Sequence, residues 1–200
     1  VGLFTRTIRK ELVMYKNTNL LFSGFICLFL ICFLGAVNSY ALDIGGDFPS
    51  FYLKDINGND FFLNEYAGEK ATKNLKVIIF SFCASYCQPC KREIPELEKV
   101  MEKYKDKGLG VFLVALEKEE LARSIIEETK TTIPVLLDRH LVLQKLIGFT
   151  GIPFTVIIDS DKKVRYVGTA FPEGKEAEVI ERLENAVMDV LGSDSDSPAR

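Results

Sequence analysis

The chain has 200 residues, room for one ordinary domain with extensions. Hydrophobic residues make up 48% and charged residues 26%, a balance that excludes a largely disordered polymer. The net charge of -3 gives no strongly basic face, so nothing in the composition points to nucleic acid as a partner.

Residues 20–37 carry no charge, and Arg6, Arg9, Lys10 and Lys16 precede them. Asn38, Ser39, Tyr40 and Ala41 follow. A basic start, an apolar run and small residues at Ser39 and Ala41 form a secretory signal with a cut after Ala41. The run is also long enough to stay as an N-terminal membrane anchor. A lipoprotein cut is disfavoured, because Cys32 is followed by further apolar residues. Met14 is an alternative start that would give the signal a compact basic region. Under either form the following domain, residues 42–192, is expected outside the cytoplasm, and the polar tail 193–200 is expected to be mobile.

After a loop over 43–50, residues 51–56 and 60–63 read as two short strands about the Asn57-Gly58 turn. Residues 65–74 form a polar connection. Residues 75–82 are nearly all apolar and rich in β-formers, the pattern of a central strand buried on both faces. A helix follows, with Ile94, Leu97, Met101 and Tyr104 at steps of three and four, ended by Gly108. Residues 109–116 make a second apolar strand. Residues 118–130 read as a helix with Leu121, Ile125 and Ile126 inward. Pro134 and the apolar residues after it lead to a short helix over 141–147. Residues 154–158 are a third core strand, joined through a turn at 159–163 to a strand over 164–168. The last helix spans 174–191, with Val179, Ile180, Leu183, Val187 and Val190 on one side. There is no internal repeat. This order predicts one α/β domain with a mixed central sheet and helices on both faces.

Two of the five cysteines, Cys27 and Cys32, lie in the apolar N-terminal run, where they act as small apolar residues. The other three, Cys83, Cys87 and Cys90, cluster between a core strand and a helix. Such a cluster is no structural disulfide framework and points to chemistry at one place. A helix N-terminus offers free N–H groups and a positive dipole end, both of which stabilise a thiolate. The thiolate is the attacking species, so Cys87 is the expected exposed nucleophile. Cys90, beyond a two-residue spacer, resolves the mixed disulfide. Pro89 suits the first helical turn, where a missing N–H costs nothing. The competing reading, half a zinc site, lacks a second cysteine pair, and the chain has one histidine. That histidine, His140, stands beside Asp138 and Arg139 and reads as solvated. The charge runs 117–120 and 173–178 also read as solvated helix starts.

The segment FSFCASYCQPCKREIP (residues 80–95) resembles the active-site region of the TlpA/ResA-like branch of the thioredoxin superfamily, within the AhpC/TSA and redoxin group. Pro95 matches the proline of the active-site helix in that superfamily. Residues 151–155, Gly-Ile-Pro-Phe-Thr, resemble the loop whose cis-proline faces the cysteines. The N-terminal hairpin and the insertion around 117–147 are similar to features of the exported branch. The resemblance covers roughly residues 43–191 and implies a thioredoxin fold.

The same resemblance implies a thiol–disulfide oxidoreductase with Cys87 and Cys90 as the redox pair. Tyr86, Gln88, Pro89, Ile152 and Pro153 would then border the substrate, with a cis bond at Ile152–Pro153. Cytoplasmic thioredoxins carry an acid where this chain has Ser81. In the resembling branch a Glu three residues after the second cysteine acts instead, and Glu93 stands there. Two departures stand out: Tyr86 replaces the usual Trp, and Cys83 replaces another aromatic. Cys83 is open to two readings, a small apolar residue at a strand end, or a third redox-active thiol or metal ligand.

No cofactor and no metal are required. The partners implied are protein disulfides, with a membrane thiol-transfer protein as electron donor and maturation of c-type cytochromes as one task. Pro89, where strong oxidants carry a His, favours a reducing poise. Two other functions share the fold. A peroxiredoxin-like peroxidase needs Thr where Ala84 stands. A copper-binding chaperone needs a late His that residues 159–172 lack.

Overall fold

The computed structural model describes residues 42–73 and 75–193. The expected signal or anchor at 1–41 and the tail at 194–200 lie outside the described residues. Among the described residues no helix is long and apolar enough to cross a membrane.

Seven strands form one mixed sheet: β1 (Tyr52–Asp55), β2 (Asp60–Phe62), β3 (Val77–Cys83), β4 (Leu109–Ala115), β5 (Val135–Leu137), β6 (Phe154–Asp159) and β7 (Val164–Gly168). Their spatial order is β2-β1-β5-β4-β3-β6-β7. β3 pairs parallel with β4 and antiparallel with β6, and β4 pairs parallel with β5. Among the described residues there are four α-helices: α1 (Gln88–Tyr104), α2 (Glu119–Thr129), α3 (Val142–Ile147) and α4 (Glu176–Ser193).

Every residue of β3 is buried, as expected of a strand covered on both faces. Alternation then sends its side chains to two different layers. Val77, Ile79 and Cys83 face a layer built by Ile94, Leu97 and Val100 of α1, Ala122 and Ile125 of α2, and Leu183 and Val187 of α4. Ile78, Phe80 and Phe82 face the other layer, with Phe48, Phe61, Phe112 and Phe154, closed by Leu143 and Ile147 of α3. Phe80 sits at the centre of that aromatic group, its ring 5.7 Å from Phe48, 5.4 Å from Phe51 and 5.7 Å from Phe112. Ring pairs of this kind contribute about 0.5–1.5 kcal/mol each beyond the area they bury.

The structure refines the sequence expectations at several places. The first helix stops at Tyr104, and one 3-10 turn, Lys105–Lys107, leads to Gly108 at φ 97°. A side chain is strained at that φ, and a Cβ there would also crowd Lys76. Leu121, expected inward, is 54% exposed. With α2 beginning at Glu119, the inward stripe runs through Ala122 and Ile125 instead. Residues 135–137, expected only as a lead into a helix, form β5. β5 joins the N-terminal hairpin to the sheet through the pairs Lys54↔Leu137 and Asp55↔Leu136. Three apolar residues are too few for a periodic signal, so this strand exists because of its neighbours.

Candidate active site

β3 ends at Cys83, and three residues later α1 begins with Cys87 as its N-cap. Cys87 is extended, at φ -85° and ψ 97°, and its Sγ accepts the N–H of Cys90 at 3.2 Å. Cys87 and Cys90 form a disulfide with their Cα atoms 5.3 Å apart. Pro89 stands in the first turn of α1, where its ring needs no hydrogen bond. Cys87, expected to be exposed from its place before the helix, is instead buried. It is 5% exposed, against 1% for Cys90. Both sulfurs belong to the apolar layer beneath α1. Tyr86 projects outward at 77% exposure, Gln88 is exposed, and Pro89 is half-buried.

Glu93 lies one turn into α1 and is 3% exposed. No cation holds it. Its Oε2 accepts the hydroxyl of Ser81 at 3.0 Å, and its Oε1 accepts the hydroxyl of Thr155 at 2.7 Å. Ser81 and Thr155 are register partners across β3 and β6, so the two hydroxyls stand side by side under the helix. Burial raises the Glu93 pKa above the ordinary carboxylate range, and the two hydroxyl bonds oppose part of that rise. Thr155 is a site residue that the sequence reading left without a role. The available signal was a single hydroxyl in each of two otherwise apolar strands, which in buried positions must find a partner.

Cys83 is a free, buried thiol. Burial, then the charges of Glu93 and Glu117, push its pKa well up, so it is protonated and poorly nucleophilic. Glu117 departs from the expected solvated helix start. It is half-buried and binds Ser85, as described below. Among the described residues no group of three or more His, Cys, Asp or Glu side chains could hold a metal ion.

The Ile152–Pro153 bond is cis. Pro153 is buried and Ile152 is half-buried. Phe154 pairs with Phe82, so Pro153, just before β6, lies at the same end of the sheet as Cys83, the end from which the dithiol loop departs. A groove of about 410 Å³, lined by Leu42, Ile147, Phe149, Phe154 and Val167 among others, runs along this loop. The rings of Phe149 and Phe154 stack in it, 4.3 Å apart.

The comparisons with known proteins agree with this geometry. The family model described as AhpC/TSA family matches residues 44–167. Thiol-disulfide oxidoreductase ResA of Bacillus thuringiensis subsp. konkukian is 26% identical over 124 residues, 62% of this chain and 68% of the relative. The ResA protein of Geobacillus thermodenitrificans is 26% identical over 164 residues, 78% of this chain and 90% of the relative. Among solved structures, a Chlorobium tepidum protein assigned as thiol:disulfide interchange protein DsbE superposes with a TM-score of 0.66 at 28% identity. That match covers 76% of this chain and 99% of the other. With a disulfide-forming Cys-x-x-Cys pair capping the helix after the central strand of a thioredoxin fold, the chain belongs to the AhpC/TSA family, as a thiol–disulfide oxidoreductase.

Proposed function

We propose that the chain reduces disulfides of proteins outside the cytoplasm, with Cys87 as nucleophile, Cys90 as resolving thiol and Glu93 as the group that handles the proton. The observation that carries this reading is the seat of Cys87 at the N-cap of α1, where the free N–H groups favour its thiolate. In the forward cycle the Cys87 thiolate attacks one sulfur of the substrate disulfide. The substrate S–S bond breaks, a Cys87 mixed disulfide forms, and one substrate thiolate leaves and takes up a proton. Cys90 then loses its proton and attacks Cys87 Sγ. The second substrate thiol leaves, and the Cys87–Cys90 disulfide remains, oxidised by two electrons. A thiol donor must return those two electrons.

Glu93 supports the proton steps because it is buried and its pKa is raised by that burial, the direction a carboxyl needs to act as a general acid. The substrate surface comprises exposed Tyr86 and Gln88, Pro89 in the first turn, and the Ile152–Pro153 loop, with the Phe149–Phe154 groove as an apolar extension. An extended substrate segment adds along such a loop as a strand. The extracytoplasmic placement rests on the basic-then-apolar character of residues 1–41. A membrane thiol-transfer protein as donor, and apocytochromes c as substrates, follow from the ResA-like resemblance. A peroxidase reading gains no support, since Ala84 supplies no hydroxyl ahead of Cys87.

Trapping tests the assignment. Cys90→Ser should accumulate a mixed disulfide through Cys87, and Cys87→Ser should not. Accumulation through Cys90 alone would reverse the roles.

A further inference from the structure

Cys87 reaches the helix through a loop of three residues, Ala84, Ser85 and Tyr86. Two backbone bonds shape it. The Cys87 N–H donates to the Ala84 carbonyl at 3.0 Å, which closes a turn. The Leu116 N–H donates to the Cys83 carbonyl at 3.0 Å, which extends the β3–β4 ladder by one rung. Ser85 lies beyond that rung, and both of its donors turn to a single carboxylate. Its N–H donates to Glu117 Oε1 at 2.7 Å, and its hydroxyl donates to Glu117 Oε2 at 2.9 Å. Bonds to an ionised acceptor are short and about twice as strong as neutral ones, and a two-point contact fixes direction as well as distance. Glu117 can reach because Ala115, two residues before it, is the register partner of Cys83.

We propose that Glu117 is a positioning residue for the dithiol: its carboxylate clasps Ser85, fixes the loop 84–86, and so sets how Cys87 and Tyr86 meet a substrate. The inference rests on the dithiol reading and extends it to a residue thirty positions away from the pair in sequence. Tyr86 follows the clasped amide directly and stands 77% exposed, so its direction is set by the backbone at Ser85.

The clasp has an electrostatic side. A helix N-terminus favours a thiolate at Cys87, whereas a carboxylate on the same loop disfavours it. The charge of Glu117 reaches the end of β3, since it is one of the causes, after burial and Glu93, that raise the Cys83 thiol. The other charged groups packed about the pair are Glu93 under α1 and Lys91 in its first turn, whose ammonium lies 2.6 Å from Glu128 of α2. Glu117 thus works against easy thiolate formation, the direction that makes a dithiol a better reductant.

The test uses the full chain and the variants Glu117→Ala and Glu117→Gln. Hydrogen exchange at the Ser85 amide reads the clasp, and alkylation of reduced Cys87 across pH reads the charge. Glu117→Ala should speed amide exchange about tenfold or more, the effect of losing one charge-assisted bond. It should also move Cys87 titration to lower pH. Glu117→Gln retains an acceptor for the amide, so it should restore most of the protection while titrating like the alanine variant. An active dithiol whose amide exchange and titration are unchanged in Glu117→Ala overturns the clasp alone. A loss of melting temperature with unchanged Cys87 titration overturns it too, by reducing Glu117 to a structural contact. A Cys87–Cys90 pair that is redox-inert in the unmodified protein overturns the dithiol reading and the clasp with it.

Discussion

A carboxyl group buried beneath a dithiol and held by two hydroxyls keeps its proton to a higher pH than a surface glutamate does. Glu93 has this environment, with Ser81 and Thr155 as its partners and desolvation as the larger influence. In the proposed cycle it supplies a proton when a thiolate leaves and receives one when Cys90 is activated. Glu93→Gln preserves shape and hydrogen-bonding capacity but cannot exchange a proton. It should slow disulfide reduction by about a hundredfold, the lower end of general acid–base effects. It should also shift the apparent titration of the cysteines while leaving the fold intact. The proper control is Glu96→Gln, because Glu96 pairs with Lys99, one turn along the same helix, rather than with the buried hydroxyls. Equal rates in Glu93→Gln and the unmodified protein would leave proton transfer to water. Much of this site was legible in the sequence, because a Cys-x-x-Cys between a strand and a helix states its own chemistry. Glu93 was singled out through the family resemblance and the missing acid at Ser81, and its burial beside Ser81 came only with the structure. Thr155 and Glu117 were not, since their parts depend on strand register, which one sequence does not display.

At the level of elements, α1 is tied to its surroundings by acids on the same helix whose local sequences look alike. Glu98 accepts the hydroxyls of Thr131 and Thr132 and the N–H of Thr132, which anchors α1 to the turn that opens β5. Those bonds hold its carboxyl below the ordinary range, against a partial burial that acts the other way. In sequence, Glu98 is one more polar residue on the outer face of a periodic helix, and nothing distinguishes it from Glu96 or Glu102. Hydrogen bonds to a charged group contribute more than neutral ones, so Glu98→Ala should lose about 1–2 kcal/mol of stability in urea unfolding. Glu96→Ala removes an exposed pair three residues apart and should stay within about 0.5 kcal/mol. Equal losses would mean that the turn at 131–133 is held by its own packing. The periodic helices were the most legible elements, and α4 buries Val179, Leu183, Val187 and Val190 as expected. β5 and the inward edge of α2 were the least legible, because short elements take their register from tertiary neighbours.

For the whole molecule, the site and the stability share one layer. The apolar layer under α1 contains Cys83, Cys87 and Cys90, and Glu93, the proposed proton carrier, is buried in the same helix, so its protonation also enters the folding balance. An unfolded glutamate titrates at roughly pH 4.3. In the folded chain Glu93 gives up its proton only at higher pH. Below the unfolded value both states hold the proton, and the full stability is present. Between the two values the unfolded state has lost its proton while the folded state still binds one. Stability therefore falls as pH rises, at about 1.4 kcal/mol per unit, until the folded pKa is passed. Asp55 and Glu98, whose carboxyls are lowered, act in the opposite sense and lose their contribution as pH falls. Those groups are the same in Glu93→Gln, so the difference in unfolding free energy between it and the unmodified protein isolates Glu93. With the disulfide kept closed in both, that difference should favour the unmodified protein most at low pH. It should decline through the mildly acidic range and become level beyond the folded pKa of Glu93. A difference that stays constant from pH 4 to pH 8 would mean that Glu93 is no more buried, for its proton, than a surface acid.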